Sequence, residues 1–307
     1  MIQPMRAAFD IREETLPNYS SSFNHLLANI RAAKKFRAAV YHVTGDVHYA
    51  ILGLPGKRTV LTIHDCVFLQ EVSGFKRIVL KWLWLTAPVR RAAIVTTISE
   101  KSKKEIIEYT GCRPDKIVVI PNSIGEPIYH DKREFNGQCP VILFIGSTPN
   151  KNLLRVIPAL QGIPAHLHIV GEIPEEARLL LQEHSIDHSM SVRLNEAELA
   201  ACYNKADLVL FPSTYEGFGL PILEAQKAGR PVVTSDLSPM KEVAGGAACL
   251  VDPFSIESIR SGILKVIQDG SYRDELVRKG KENVRQYDRE TIAGQYLACY
   301  RKLINQQ

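Results

Sequence analysis

The sequence lacks the patterns that mark several common classes of protein. Its six cysteines include no Cys-x-x-Cys pair, which argues against a disulfide framework or a zinc site and favours a reducing cytosol. No apolar run approaches the about 18–20 residues that span a bilayer, and the first residues, MIQPMRAAFDIREE, contain no signal-peptide-like apolar stretch. P-loop, Gly-x-Ser-x-Gly and His-Glu-x-x-His motifs are also absent. We therefore expect a cytoplasmic protein.

A large excess of charge of one sign is missing as well. The chain has 38 Lys and Arg against 33 Asp and Glu, a net charge of +5, so nucleic acid is not an expected partner. The charge is uneven, because residues 1–123 carry 18 basic and 10 acidic residues (+8) and the rest carries 20 and 23 (−3). With 307 residues, this asymmetry indicates two domains with different partners.

Short runs rich in Val, Ile and Leu alternate with amphipathic stretches along most of the chain. We predict strands at residues 38–43, 59–63, 92–98, 117–120, 141–145, 165–170, 207–211, 231–234 and 247–251. Nearly continuous apolar strands are typical of parallel sheets that are buried on both faces. The βαβα order therefore predicts an α/β protein with doubly wound parallel sheets.

The alternation stops and restarts at residues 121–140, a segment rich in proline, glycine and polar residues that is typical of a linker. We predict an N-terminal domain of residues 1–136, a C-terminal domain of residues 137–287 and a terminal helix from residue 288 to 307. A Rossmann-like unit opens with a strand and a glycine-rich turn, yet the first convincing strand follows a helix at residues 21–36. The opening strand is either missing or disguised in residues 5–11, and we expect it to be missing.

The segment 211–229, FPSTYEGFGLPILEAQKAG, follows an apolar strand and opens a helix. The segment therefore lies at the carboxyl end of a strand, and open α/β sheets bind ligands at that edge. Free backbone amides at the start of a helix attract anions such as a diphosphate. Pro221 suits the first helical turn. Two carboxylates, Glu216 and Glu224, flank the turn and can accept hydrogen bonds from vicinal diols. A nucleotide sugar has a diol at each end and a diphosphate between them, so it fits this combination of groups.

The string EGFGLPILE resembles the EX7E motif of retaining glycosyltransferases of family 4, which have the GT-B fold. TIHD at residues 62–65, TTISEKSKKEI at 96–106, VVIPNSI at 118–124 and GSTPNKN at 146–152 resemble further landmarks of the family. The resemblance implies two Rossmann-like domains with parallel sheets that face a central cleft. From the order of the predicted elements, we expect the N-terminal domain to lack its first βα unit. The resemblance also implies that the terminal helix returns to the N-terminal domain.

The resemblance implies a role for each residue of the glycine-rich turn. Glu224 would bind the ribose hydroxyls, and Glu216, which we predict to be catalytic, would lie at the donor sugar. The backbone amides of Gly217, Phe218, Gly219 and Leu220 would hold the sugar and diphosphate.

Lys151 follows the predicted strand 141–145, where a cation would neutralise the departing diphosphate. Gly146 and Ser147 precede it in the same donor-binding turn. Members of the family usually have an additional arginine near the position of Ser147, so one diphosphate contact differs here.

His64 and Asp65 follow the predicted strand 59–63, again at a carboxyl edge. The resemblance implies that this pair faces the donor sugar, with His64 as a catalytic residue and Asp65 as a substrate-binding residue. A structural hydrogen-bonding role is the alternative for both.

No Asp-x-Asp pair occurs among the 12 aspartates. GT-A glycosyltransferases commonly hold a divalent metal with such a pair. We therefore predict metal-independent transfer with no cofactor, in which Lys151 and the helix start stabilise the diphosphate.

The expected activity is transfer of a hexose from a UDP-, GDP- or ADP-sugar to a saccharide or lipid-linked hydroxyl, with retention, in cell-surface polysaccharide synthesis. An inactive or partner-dependent nucleotide-binding subunit is the alternative, because the first βα unit is expected to be missing. An epimerase or a phosphorylase on the same scaffold is a third interpretation.

The segment from Gly74 to Arg91, GFKRIVLKWLWLTAPVRR, contains both tryptophans and several basic residues. A basic amphipathic helix of this kind suits peripheral contact with the inner face of the cytoplasmic membrane. The alternative is an ordinary buried helix with cationic flanks.

Overall fold

The computed structural model describes residues 2–69, 72–125 and 134–305, which form two compact units. The N-terminal unit consists of residues 1–123 together with 289–307, and the C-terminal unit consists of residues 124–288. The division between Ser123 and Ile124 lies within the linker-like segment but before the boundary predicted at residue 136. Residues 126–133 of that segment lie outside the described residues.

The described residues contain parallel strands and intervening helices. The strands are β1 (Tyr41–Val43), β2 (Thr59–Ile63), β3 (Ile94–Thr97), β4 (Ile117–Val119), β5 (Val141–Ile145), β6 (His166–Val170), β7 (His188–Ser191), β8 (Leu208–Phe211), β9 (Val232–Ser235) and β10 (Cys249–Val251). The helices are α1 (Ile2–Arg6), α2 (Phe23–Ala33), α3 (Gly74–Leu80), α4 (Ala87–Arg91), α5 (Glu100–Thr110), α6 (Leu153–Ala159), α7 (Glu175–Glu183), α8 (Glu196–Lys205), α9 (Leu220–Lys227), α10 (Met240–Ala244), α11 (Ile256–Gln268), α12 (Gly270–Asn283) and α13 (Arg289–Ile304). A π-helical stretch, Lys81–Thr86, joins α3 to α4.

The N-terminal unit is built on a sheet of four parallel strands in the order β1-β2-β3-β4. Helix α13 covers one face of this sheet, where Ile292 and Tyr296 pack against Val60 and Ile94. Helices α2, α4 and α5 contribute to the core on the other face. Among the residues described, no strand precedes β1, and residues 5–11 contain the end of α1 and a turn instead of a disguised strand.

The C-terminal unit is built on a sheet of six parallel strands in the order β10-β9-β8-β5-β6-β7. Strands β5 to β7 follow one another toward one edge of the sheet and β8 to β10 toward the other, so the strand order changes direction between β5 and β8, which are hydrogen-bonded parallel neighbours. Strand β5 also pairs with β6, and β8 also pairs with β9. Such a topological switch point opens a crevice outside the carboxyl ends of its two central strands, and this crevice is where doubly wound folds bind ligands.

The predicted α/β class with parallel sheets is confirmed. Strands β8 and β9 are buried along their whole length, which explains why β8, LVLF, is an unbroken apolar run. Strand β9, VVTS, ends in two small buried polar residues, whose hydroxyls donate to the backbone carbonyls of Phe211 and Ser213. Strand β7 was not predicted, because its sequence, HSMS, is mostly polar and lies at the edge of the sheet. Such an edge strand needs few apolar residues.

Candidate active site

Two loops meet at the switch point of the C-terminal unit. Residues 146–152 follow β5 and residues 212–219 follow β8, and these strands are adjacent in the sheet. The Asn150 backbone carbonyl accepts a hydrogen bond of 2.8 Å from the Thr214 amide, and the Asn150 side chain donates to the Tyr215 carbonyl at 2.9 Å. The switch-point loops are thus joined directly, so residues that are about 65 positions apart form one site.

Asn152 fixes the end of the first loop. It adopts a left-handed conformation with φ of 73° immediately before α6, a conformation that asparagine tolerates better than most residues. Its buried side chain donates to the carbonyls of Pro212 at 3.0 Å and Pro253 at 2.6 Å. Sequence analysis did not identify Asn150 or Asn152, although both flank the predicted Lys151.

Lys151 and Glu216, both predicted, are brought into direct contact. Lys151 Nζ lies 2.6 Å from Glu216 Oε1 and 4.8 Å from the centroid of the Phe211 ring. Their side chains are only 20% and 14% exposed. The cation is therefore held between a carboxylate and an aromatic face, and a competing anion could draw it away from Glu216.

Gly146 allows the lysine chain to lie against the backbone. Its φ is +99°, and a Cβ there would lie 2.8–3.1 Å from three side-chain carbons of Lys151. Any other residue would push Lys151 aside. Ser147 continues the loop, and its side chain lies next to Gly171. The structure thus gives Gly146 a packing role beneath the cation.

The glycine-rich turn, residues 217–220, places backbone N–H groups at the crevice. Gly219, with φ of +112°, precedes the first residue of α9, and Pro221 lies in the first turn. Within the described part of the chain, the backbone N–H groups of residues 217–220 have no hydrogen-bond acceptor. Free amides combined with the positive end of a helix dipole form an anion-binding element. The Phe218 side chain is buried against Tyr287 and leaves only its backbone for a ligand.

Glu224 lies on the second turn of α9 and is held by a residue that sequence analysis missed. The buried hydroxyl of Tyr203, on α8, donates to Glu224 Oε2 at 2.5 Å. Burial raises the pKa of the Glu224 carboxyl above its ordinary value, while the Tyr203 hydrogen bond opposes that rise. One carboxylate oxygen is thus oriented by the protein, and the other has no protein partner among the described residues.

His64 and Asp65 belong to the N-terminal unit and directly follow β2. Both are half-buried. The Asp65 carboxylate accepts a hydrogen bond of 3.0 Å from the Val67 amide, which is typical of a local turn. The His64 backbone carbonyl accepts from Ser102 on α5 at 3.0 Å. Both residues thus lie at the predicted edge, and Asp65 has a structural contact that explains its position.

Among residues 2–69, 72–125 and 134–305, no group of three or more His, Cys, Asp or Glu side chains could hold a metal ion. The cation at the crevice in the C-terminal unit is supplied by Lys151.

Two family models match the chain. The model of glycosyl transferases group 1 matches residues 126–283, about half of the chain, and that of glycosyltransferase family 4 matches residues 9–125.

Similar proteins include bacterial sugar transferases. The chain is 29% identical over 297 residues to the O-antigen chain mannosyltransferase B of Escherichia coli, covering 89% of this chain and 76% of that protein. It is 28% identical over 249 residues to the serotype-specific mannosyltransferase WbdA of the same organism, covering 71% of this chain but only 30% of WbdA.

Solved structures share the fold. Sucrose-phosphate synthase from Thermosynechococcus elongatus superposes with a TM-score of 0.77 at 20% identity, over 93% of this chain and 79% of that one. HepE of Anabaena, solved in complex with UDP and glucose, gives a TM-score of 0.76 at 18% identity, over 91% of this chain and 82% of that one. The expected GT-B architecture of two parallel-sheet α/β domains is confirmed. Together with the family models, which span residues 9–283, these matches establish that the chain belongs to the group 1, family 4 glycosyltransferases and is a glycosyltransferase.

Proposed function

We propose that the protein transfers a hexose, most simply mannose, from a nucleotide-diphosphate sugar to a hydroxyl of a saccharide or lipid-linked acceptor in cell-surface polysaccharide synthesis. The observation that carries the proposal is the grouping of Lys151, a run of free amides and Glu224 around one crevice. The grouping offers positive charge for a diphosphate and a carboxylate for a diol. Mannosyl transfer is inferred from the names of the E. coli relatives, and a nucleotide donor from the UDP bound by HepE.

In the proposed reaction, the acceptor oxygen forms a bond to the anomeric carbon as the bond from that carbon to the diphosphate oxygen breaks. The acceptor proton passes to a diphosphate oxygen on the same face, which gives retention. Lys151 and the amides of residues 217–220 stabilise the charge that grows on the leaving group, as fixed donors do at developing anions. Glu216 releases Lys151 toward the phosphate and takes up the donor sugar as positive charge develops on that sugar.

Lys151 and the start of α9 would neutralise the diphosphate charge that a divalent metal neutralises in other transferases. We therefore propose metal-independent transfer. The test is calorimetry with GDP, UDP and ADP, followed by a transfer assay with GDP-mannose, UDP-glucose and ADP-glucose. We expect one of the three nucleotides to bind at micromolar concentration. We also expect the transfer rate with the corresponding nucleotide sugar to be the same with and without EDTA. Absence of binding by all three nucleotides would contradict the donor assignment, and activity that EDTA abolishes and Mg²⁺ or Mn²⁺ restores would contradict metal independence.

We further propose that α3 and the π-helical stretch rest on the inner face of the cytoplasmic membrane. No residue of α3 is buried, so the alternative of a buried helix is wrong for this part of the segment. Phe75, Ile78, Val79 and Trp82 are 79%, 66%, 43% and 57% exposed, and their spacing places them on one helical face. Lys76, Arg77 and Lys81 lie between them, and the segment has no acidic residue.

This apolar face predicts binding to anionic vesicles. Changing Phe75 and Trp82 to serine should reduce co-sedimentation with phosphatidylglycerol vesicles at least about tenfold, because each aromatic ring that is buried contributes roughly 1.5–3 kcal/mol. Trp84 is unsuitable for this test, since its Nε1 donates to the Asp46 carbonyl at 2.9 Å and its ring packs on Tyr49. Leu179→Ser with Phe254→Ser is the control, because both side chains are about as exposed as Trp82. Equal binding by the two double variants would exclude membrane contact through this face.

No helix in the described part of the chain is long and apolar enough to cross a membrane.

A further inference from the structure

A cavity of about 400 Å³ lies at the amino edge of the N-terminal unit's sheet. Its lining includes Tyr41 at the start of β1, Arg58 just before β2 and Arg91 at the end of α4. Phe36 and Leu54 supply apolar lining. Because all strands of this sheet are parallel, the cavity is at the edge opposite to His64. The length of β2, about 3.3 Å per residue, separates the two edges.

The polar lining of this amino-edge cavity is strongly basic. Lys34, Arg37, Arg58 and Arg91 contribute to it, and no acidic residue does. In the part of the chain that the structure describes, none of these four cations forms an ion pair. Four like charges around one concave surface repel one another, and an anion placed among them would relieve that repulsion.

Two of the four guanidinium and ammonium groups are held in place by backbone carbonyls. Arg91 donates from Nε to the Ile51 carbonyl at 2.9 Å and from Nη2 to the Leu54 carbonyl at 2.7 Å. Arg37 donates from Nη1 to the carbonyls of Lys34 and Phe36 at 2.8 and 2.9 Å. A guanidinium has five N–H donors, so each keeps donors for a ligand while its orientation is fixed.

The remaining two cations have no hydrogen bond to the protein among the described residues. Arg58 lies 5.9 Å from the centroid of the Tyr41 ring, at the outer limit of a cation–π contact, and the Lys34 ammonium has no acceptor. Arginine forks match phosphate oxygens in pairs, and lysine supplies a mobile point charge. A phosphate group can accept hydrogen bonds from several of these donors at once.

We propose that the amino-edge cavity binds a phosphate-bearing anion, either a free phosphate ester or the headgroup of a phospholipid. This site is separate from the crevice in the C-terminal unit, and its existence does not depend on the proposed transferase reaction. Its volume accommodates a phosphorylated group of headgroup size.

The test uses inorganic pyrophosphate in a Lys151→Met background, in which the predicted diphosphate-binding cation of the crevice is absent. Calorimetry should detect saturable pyrophosphate binding to this variant. Adding Lys34→Gln and Arg58→Gln should weaken that binding at least about tenfold, because two cations that contact the anion are removed. The matched control adds Arg301→Gln and Lys302→Gln, two exposed cations of α13 in the same unit, and should change the affinity less than threefold.

A second arm identifies the source of the phosphate. Phosphatidylglycerol vesicles are offered to protein carrying Phe75→Ser and Trp82→Ser, with and without the Lys34 and Arg58 changes. Loss of the residual vesicle binding with those changes supports a headgroup ligand, whereas a pyrophosphate effect alone supports a free phosphate ester. If neither pyrophosphate nor vesicle binding depends on Lys34 and Arg58, the proposal is overturned.

Discussion

Replacing Lys151 by methionine should lower kcat about 10²–10³-fold, the range seen when one fixed donor to a developing oxyanion is removed. Methionine is unbranched and similar in length, so it keeps the packing over Gly146 and the Phe211 ring. The change thus removes the charge while preserving the shape of the switch-point loops. The measurement is single-turnover transfer at saturating donor, alongside calorimetry for nucleotide affinity.

Lys151→Met also leaves the Glu216 carboxylate without its ion-pair partner, which could lower activity by itself. Comparing the double variant Lys151→Met, Glu216→Gln with Glu216→Gln alone separates the two effects, because Lys151 is then removed where no carboxylate is left unpaired. We expect the double variant to be slower than Glu216→Gln. Equal rates in these two variants would mean that Lys151 only neutralises Glu216 and has no role at the diphosphate.

A surface lysine–carboxylate pair with nearly the same N–O distance serves as the matched control for Lys151. Lys241 Nζ lies 2.7 Å from Asp236 Oδ1, and both side chains are at least half exposed. Such pairs contribute little to stability, so Lys241→Met should leave kcat unchanged within a factor of two.

Removing the Glu224 carboxylate should weaken nucleotide binding about 10–100-fold, because a hydrogen bond to a charged group contributes about 1.5–3 kcal/mol. The variant is Glu224→Gln, which keeps the side-chain volume on α9. The measurement is calorimetry with the preferred nucleoside diphosphate. The corresponding 2′-deoxynucleoside diphosphate, which lacks one ribose hydroxyl, is the control ligand. Unchanged nucleotide affinity in Glu224→Gln would remove the basis of the donor assignment.

Tyr203→Phe tests whether nucleotide affinity depends on the hydrogen bond that orients the Glu224 carboxylate. Phenylalanine fills the same buried space but cannot donate to Glu224 Oε2. We expect a loss of nucleotide affinity of about three- to tenfold, corresponding to one hydrogen bond, and no further loss when Tyr203→Phe is added to Glu224→Gln. Tyr272→Phe, a hydroxyl deletion elsewhere in the same unit, should have no such effect.

The pH dependence of binding gives an independent readout of the same pair. Burial raises the pKa of Glu224, so the carboxylate takes up a proton at a higher pH than an ordinary glutamate does. Nucleotide affinity should therefore fall on acidification through that raised pKa. The Tyr203 hydrogen bond lowers the pKa, so in Tyr203→Phe the fall should begin at higher pH. A purely structural role of Tyr203 would leave the midpoint unmoved.

Sequence analysis identified most of the candidate site because the signals were local. Glu216, the glycines and Glu224 are contiguous with a buried strand and a helix start, and Lys151 follows the first strand of its unit. What was missed depends on contacts between distant segments. Tyr203 lies on the preceding helix, 21 residues from Glu224, and Asn152 bonds to carbonyls 60 and 101 residues away. No local pattern specifies such partners.

For the segment from Gly74 to Arg91, the sequence could not distinguish a buried helix from an exposed one. Its composition fits both a buried helix and a membrane-binding one, since apolar and basic residues alternate in either case. The structure distinguishes its parts, because α3 has no buried residue whereas Pro88 and Val89 in α4 are buried.

The sequence by itself determined the class of the protein: continuous apolar runs specify buried parallel strands, and the glycine-rich turn before Pro221 specifies a helix start with free amides. The tertiary structure decided that β5 lies beside β8, which joins Lys151 to Glu216 across 65 residues. It also decided which oxygen of Glu224 is held by Tyr203 and that four basic side chains line one cavity. The reason is that strand order and side-chain partners follow from burying two distant surfaces together, and residue spacing along the chain does not encode that choice.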